Sequence, residues 1–223
     1  LDEVLSDIAE GSQSLTGVIR IAAPVTFGEM HLVKMLRRFS AQHPGLTFDL
    51  RLSDKIVDLA SEGIDLAFRI GRTDMLSLKA RKLGQSRSIV AASPAYLAAH
   101  GAPETPQDLT NHACIVDTNR RDAQRWDFRQ DGREILVQIQ GQFHVNSARA
   151  SVELAADGLG IINAPGFALA DALRDGTLVE LLSDFEGTAG AINIVYLEGR
   201  TLPKRVRALI DFAVQDTRQS GAL

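Results

Sequence analysis

Leu15-Thr-Gly-Val-Ile-Arg-Ile-Ala-Ala-Pro-Val-Thr-Phe-Gly28 is the stretch on which the fold turns. Val18 to Ala23 is a short apolar, branched run that stops at Pro24, the pattern of a buried strand. Thr26 and Glu29 follow as a T-x-x-E capping box, which predicts a helix carrying Met30, Val33, Leu36 and Phe39 and ending at Pro44-Gly45. Leu46, Phe48, Leu50 and Leu52 then alternate, giving a second strand. Ser53 or Asp54 is expected to cap a helix with Ile56, Val57, Leu59 and Ala60, closed by Gly63. Asp65 to Gly71 reads as a third strand. Strand, helix, strand, helix, strand in so short a space implies a parallel sheet with crossover connections.

The later chain repeats the theme. Leu78 to Ser93 carries a strand-pair signal, strongest from Arg87 onward, and Pro94 opens a short helix through Tyr96 and Leu97. A loop rich in Gly, Pro, Thr, Asp and Asn holds one short helix around Pro106 to Leu109. Ala113 to Val116 is a strand. Trp126 to Phe128 and Ile135 to Ile139 flank Asp131-Gly132, the signature of a hairpin. Asn146-Ser147 caps a helix ended by Gly158 and Gly160, Ile161-Ile162 is a short strand, and Pro165 opens a helix closed by Gly176. Ala191 to Leu197 is a late strand, and a last helix runs from Leu202 to Gln219 with Pro203 in its first turn. Two α/β stretches result, one before about residue 88 and one between about 90 and 188. At the other end, Leu1, Val4, Leu5, Ile8 and Ala9 form an amphipathic stripe that starts without a cap, as the tail of a longer helix or a frayed terminal one.

Composition removes several classes of function. The chain of 223 residues carries 24 Lys and Arg against 28 Asp and Glu, a net charge of −4. A surface that neutralises nucleic-acid phosphates needs a concentrated basic face, so this chain is not expected to touch DNA itself. A single cysteine, Cys114, excludes an internal disulfide and fits a reducing compartment. No apolar run approaches the roughly 18 residues that span a bilayer, and no basic-then-apolar leader opens the chain. The location expected is therefore cytoplasmic, without a membrane.

Catalytic and metal-binding patterns do not emerge. His31, His43, His100, His112 and His144 make no H-E-x-x-H or i,i+4 pair, so no metal is expected. No phosphate-binding Gly-Lys pair occurs. Gly158-Leu-Gly-Ile-Ile-Asn163 fails the third glycine of a dinucleotide fingerprint and follows a helix, which marks it as a helix cap leading into a strand. Gly84-Gln-Ser-Arg-Ser88 fails the nucleophile-elbow pattern at its last position. Cys114, inside an apolar run, reads as a small buried hydrophobe. Arg120-Arg121 through Arg133 interleaves acids with Trp126 and Phe128, a solvated hairpin more than a nucleic-acid surface. Arg72, Lys79, Arg81, Lys82 and Arg87 outweigh Asp74, as a solvated face or a surface for an acidic partner. No cofactor and no enzymatic activity are expected.

What carries function is a set of helix starts. Pro24-Val-Thr-Phe27, Asn146-Ser147 and Ala164-Pro165 each follow apolar strand-like runs and offer unpaired N–H groups at the positive end of a helix. In an open α/β sheet such ends lie where ligands bind. Two facing α/β units would bring them to one cleft, suited to a small anion. Capping alone also accounts for Thr26 and Ser147 one by one.

Leu15 to Gly28, Leu52-Ser-Asp54, Val57-Asp-Leu59, Gly63-Ile-Asp-Leu-Ala-Phe-Arg-Ile-Gly71, Ala92-Ser-Pro-Ala-Tyr-Leu97 and Leu202 to Phe212, in this order and spacing, resemble the effector-binding domain of LysR-type transcriptional regulators. The resemblance implies an α/β fold of two Rossmann-like subdomains with a ligand cleft between them, the type 2 periplasmic-binding-protein architecture. Subdomain I would be residues 15–88 plus 190–223, subdomain II residues 89–189, and residues 1–14 the end of a linker helix. Strands near Ser88, Ile89, Val90, Ala91 and Ala92, and near Gly187 to Ile194, would be the hinge.

By the same resemblance the effector would meet Pro24, Val25, Thr26, Phe27, Ile70, Gly71, Asn146, Ser147, Ala164 and Pro165. Arg69 shares a strand face with Ala67 and Gly71 and serves either ligand or structure. The partners implied are a small effector, most naturally a carboxylate, a second copy in a homodimer or tetramer, and DNA only through an N-terminal winged helix-turn-helix missing from this sequence. A free-standing solute-binding protein of the same architecture is the alternative.

Overall fold

The apolar run at the head of the chain forms β1 (Gly17–Ala23), and its side chains Ile19 and Ile21 are completely buried. The computed structural model describes residues 14–71, 77–120, 122–187, 189–199 and 201–220. The amphipathic stripe at residues 1–9, and Arg72 and Asp74 of the basic stretch, lie outside the described residues.

After β1 a continuous helix, α1, runs as an α-turn Val25–Phe27, a π-helical stretch Gly28–Leu32 and a regular run Val33–Gln42. It lays Phe27, Leu32, Met35, Leu36 and Phe39 on the sheet. The strands β2 (Leu46–Leu52) and β3 (Leu66–Ile70) flank β1 on either side, both parallel to it. The helix expected between them does not form. Residues 56–58 are irregular and 59–63 make turns, with Ile56 81% exposed. The reason is local: Asp58, not Ser53 or Asp54, accepts from the Ala60 and Ser61 N–H groups and closes a short turn.

The strand-pair signal at 78–93 is a single fifteen-residue strand, β4 (Leu78–Ala92). It is followed by α2 (Pro94–His100), a 3-10 turn Pro106–Asn111 and short β5 (Val116–Asp117). The hairpin forms as expected from β6 (Arg125–Gln130) and β7 (Arg133–Gln138). Asp131 and Gly132 both take positive φ at its turn, the geometry an Asp-Gly turn favours. Next come β8 (His144–Val145), α3 (Ala148–Ala156), β9 (Ile162–Pro165), α4 (Gly166–Arg174), β10 (Val179–Leu181), β11 (Glu186–Gly187), β12 (Ala189–Leu197) and α5 (Lys204–Ser220).

The main sheet has seven strands in the order β10-β4-β12-β3-β1-β2, with β9 also paired to β4. Only the β2-β1-β3 part is parallel; β12 runs antiparallel to both β3 and β4, so the sheet is mixed. One strand serves two partners in succession. From Leu78 to Arg87, β4 pairs with β12, and from Ser88 to Ala92 it pairs with β9 and β10.

The apolar cores divide at the same place. One group contains Ile19, Ile21, Phe39, Phe68, Ile192 and Leu209, closed by α5; beyond the crossing lie two more, one around Val90, Leu109, Trp126 and Ile161 and one around Ile89, Ile162 and Leu169. The former is the first core, and the latter two, both reached by β4 beyond Arg87, make up the second. Arg87 clamps the crossing point through paired bonds of 2.7 and 3.1 Å to Glu180.

Gly187 also marks the crossing. A Cβ at this position would run into the Ser88 carbonyl, a backbone atom that cannot swing aside. Gly187→Ala is therefore expected to destabilise the protein by about 1–3 kcal/mol, the usual cost of overpacking. Urea denaturation checks this, and unchanged stability would mean that β11 does not hug β4 so closely.

Candidate functional site

The wall on the first core is built at the end of β1. Pro24 takes φ −59 and ψ 144 and so is the residue before the helix, and Val25 is its first helical residue. The expected capping box is not made: the helix starts ahead of Thr26, whose side chain caps nothing. The cap comes from another loop. Ser53 donates its N–H to Ala23 O at 2.9 Å, and this brings the Asp54 carboxylate to the Val25 N–H at 3.0 Å. Burial pushes the Asp54 carboxyl up, the Val25 N–H pulls it back down, and the charge of Asp117 pushes it further up. Thr26 Oγ1, partly open, finds no partner among the described residues.

Phe27 is buried in the first core. On β3, Arg69 donates to Val57 O at 3.0 Å. Burial lowers the guanidinium pKa and Asp58 opposes the drop. Ile70 packs at the edge of the first core, and the Gly71 N–H donates to Ala191 O at 2.8 Å.

The wall on the second core gathers around β5. Asp117 accepts from the Asn119 N–H at 3.0 Å, and Asn119 Nδ2 donates to Asn146 O at 2.8 Å. Ser147 is a true cap: its hydroxyl accepts from the Ala150 N–H at 3.3 Å, and its carbonyl accepts from Ser151 Oγ at 3.1 Å. Pro165 is the last residue of β9 and lies opposite Ser88, so the helix opens at Gly166 and not at Pro165. Ala164 is buried beneath it. The buried Asn163 beside it accepts from Arg120 Nη2 through both its backbone O and its Oδ1, each at 2.9 Å.

The two walls touch at an aromatic contact. Phe167 of α4 meets Phe27 edge-on at 5.9 Å and His31 edge-on at 5.3 Å. His31 also stacks on Phe27 at 5.6 Å. Its Nε2 is buried without a hydrogen-bond partner. Burial lowers the His31 pKa, and Lys34 lowers it further, so the ring is held neutral within the contact. Arg149 and Glu29 approach at 3.9 Å beside it, an exposed pair that adds little.

Thus the structure brings the Pro24–Phe27 turn and the start of α4 to one junction, while Asn146 is tied to the end of β5 through Asn119. Arg69 is committed to the Val57 carbonyl. A cavity of about 290 Å³ near Ile64, Leu197 and Pro203, and an open one of about 680 Å³ near His112, Gln140 and Leu159, touch none of the expected ligand residues. The junction, where charged and unpartnered groups from both cores converge, is the better candidate.

Asp54 and Arg120 escape sequence reasoning. Asp54 is legible as a cap, but not as the cap of a helix that begins 29 positions earlier. Arg120 shows no signal beyond its place in a mixed-charge stretch. Cys114 is fully buried, and burial pushes its thiol up to about 12, which leaves it inert at neutral pH. Gly158 acts as the cap expected of it, donating its N–H to Ala155 O at positive φ. No group of three or more metal-ligating side chains occurs among the described residues. No helix there is long and apolar enough to cross a membrane.

Residues 12–218 match the family described as the LysR substrate binding domain. An HTH-type transcriptional regulator of Haemophilus influenzae is 37% identical over 209 residues, covering 94% of this chain and 73% of that protein. The regulatory domain of CrgA, a LysR-type transcriptional regulator from Neisseria meningitidis, superposes with a TM-score of 0.81 at 27% identity, covering 91% of this chain and 99% of that one. The full-length Vibrio cholerae virulence activator AphB, of the same family, gives 0.81 at 28% identity over 96% of this chain and 73% of its own.

The ionisation of Asp54 gives this site a pH signature. A carboxyl whose pKa is raised on folding contributes stability below its unfolded pKa and loses it as pH rises through the folded one. Asp54→Asn keeps an oxygen for the Val25 N–H and deletes the charge. The variant is expected to melt higher than the parent at pH 7, with the advantage shrinking as pH falls into the carboxylate range. Melting curves between pH 3.5 and 7.5 check this, and a lower melting point at pH 7 would refute it.

Proposed function

Because the chain belongs to the LysR family of transcriptional regulators, as a substrate-binding domain of that family, we propose that it senses a small anionic effector at the junction of its two cores. Residues 15–88 with 190–223 form one subdomain and residues 89–189 the other, with β4 and β12 as the strands between them. Binding favours one placement of the subdomains, and an N-terminal winged helix-turn-helix carried by a longer chain, assembled as a dimer or tetramer, reads that placement out on DNA. A ligand shifts such an equilibrium only by the difference in its affinity for the two placements.

The observation that carries this reading is the open Thr26 hydroxyl at the head of α1. The Thr26 hydroxyl has no partner among the described residues, and it lies next to the contact through which the second core reaches the first. Donors left open at a junction between two rigid bodies are what a small acceptor-bearing ligand needs. Pro24, Val25, Phe27, Asn146, Ser147, Ala164 and Pro165 surround it in this reading, with Ile70 and Gly71 at its margin and Arg69 in a structural role. The relatives are named as regulators, which favours this reading over a free-standing solute-binding protein and over an enzyme.

Screening small organic acids by thermal shift tests it. At a hundredfold excess over Kd a ligand adds about 2.7 kcal/mol, which raises Tm by roughly 5–10 °C in a chain of this size. Thr26→Val should cut the shift by about 2–4 °C, the worth of one hydrogen bond, without lowering the melting point of the free protein. No stabilising acid would sink the anionic effector, and an undiminished shift in the variant would remove Thr26 from the site.

A further inference from the structure

We propose that Arg120 receives the effector's carboxylate and that the effector is a small monocarboxylate, an assignment that rests on the sensory reading above. Arg120 follows β5, and its guanidinium reaches back to the strands at the crossing point. Nη2 alone makes its contacts within the protein: Asn163 O and Oδ1, each at 2.9 Å, and Ser88 Oγ at 3.5 Å. These acceptors are all neutral. Among the described residues, Nη1 and Nε make no hydrogen bond, and no carboxylate comes within 4.0 Å of the group. Asp117 and Asp127 act on it only from further away, and burial outweighs them in lowering its pKa.

A guanidinium drawn out of water and left without a counter-charge is costly. Here it is also fixed: the buried Asn163 and the strand residue Ser88 hold Nη2, so the remaining donors keep a set direction. A positioned, unneutralised arginine matches a carboxylate better than a flexible lysine could. Its location fits the junction. Asn163 directly precedes Ala164-Pro165, Ser88 is the residue at which β4 changes partners, and Asp117 acts electrostatically on both Arg120 and Asp54 of the first core.

The two aspartates set the number of charges. Asp54 already occupies the Val25 N–H, so the positive end of α1 is partly neutralised from within. Asp54 and Asp117 repel a second anionic group on the ligand. One carboxylate on Arg120, with an uncharged body directed toward Thr26, meets all three constraints.

Acetate is the minimal probe. In an isotope-labelled sample of the chain, the arginine Nε–H resonances are followed during titration with sodium acetate at constant ionic strength, and with acetamide as the neutral counterpart. The Arg120 signal is assigned by its loss in Arg120→Gln. Expected are a saturable acetate shift of Arg120 and of the Asn163 side-chain amide, no shift with acetamide, and a loss of at least about tenfold in acetate affinity in Arg120→Gln. Arg120→Lys should lose less, and Arg38→Gln, which removes a distant arginine paired with Asp216, should lose nothing. An Arg120 signal indifferent to acetate, or an affinity that survives Arg120→Gln, overturns the assignment. If Arg120→Gln does not fold, the titration of the unaltered chain and of Arg120→Lys decides alone. An overturned assignment alongside a stabilising acid in the thermal screen removes Arg120 and leaves the sensory reading in place; absence of both removes both.

Discussion

Everything in this molecule hangs on β4. A fifteen-residue strand that pairs with β12 up to Arg87 and with β9 and β10 from Ser88 onward belongs to two cores at once. Backbone hydrogen bonds cannot be left unmade in a buried sheet, so the change of partner is fixed to the position between Arg87 and Ser88. Around that position the chain concentrates its constraints. Arg87 is clamped to Glu180, Gly187 is pressed on the Ser88 carbonyl, and Arg120 is moored to Ser88 and Asn163. Few strands therefore join the residues of one core to those of the other.

The other link between the cores is of a different kind. Phe167 meets Phe27 and His31 through ring edges, and one ring nitrogen there, His31 Nε2, is buried without a partner. Such a contact is worth about 0.5–1.5 kcal/mol beyond the area it buries. Charge is distributed with similar economy. Asp54 answers the head of α1, and Arg120 is left unanswered on the opposite side. The chain as a whole is mildly acidic, −4 from 24 basic and 28 acidic residues.

Much of the fold was legible because periodicity reports burial. The strand at Val18 to Ala23, the helix through Leu36 and Phe39 (though Val33 of its expected stripe is exposed), the Asp-Gly hairpin and the final amphipathic helix all follow from it. Misreadings fell where a polar side chain had several possible partners. Thr26-Phe-Gly-Glu29 satisfies the local capping pattern, yet the cap is supplied by Asp54 from the end of the neighbouring strand. That in turn leaves residues 53–63 without the helix their apolar spacing suggested, since Asp58 draws the chain into turns. Sequence-local rules describe competition among neighbours; they do not see a competitor 29 residues away. Of the candidate site, the helix starts at Val25, Ala148 and Gly166 were readable to within a residue or two. Arg120 was not, because nothing in Thr118-Asn-Arg120 distinguishes a moored guanidinium from a solvated one.

A sensor of the kind proposed needs both cores to answer to one ligand at their junction. Hydrogen exchange, measured with and without the organic acid that most raises the melting point, addresses it directly. Simultaneous slowing is expected in three separated segments, residues 25–28, 117–120 and 163–167, with the interior of β1 and α5 unchanged. Slowing confined to one core, or centred on the cavities near Pro203 or Gln140, would contradict it.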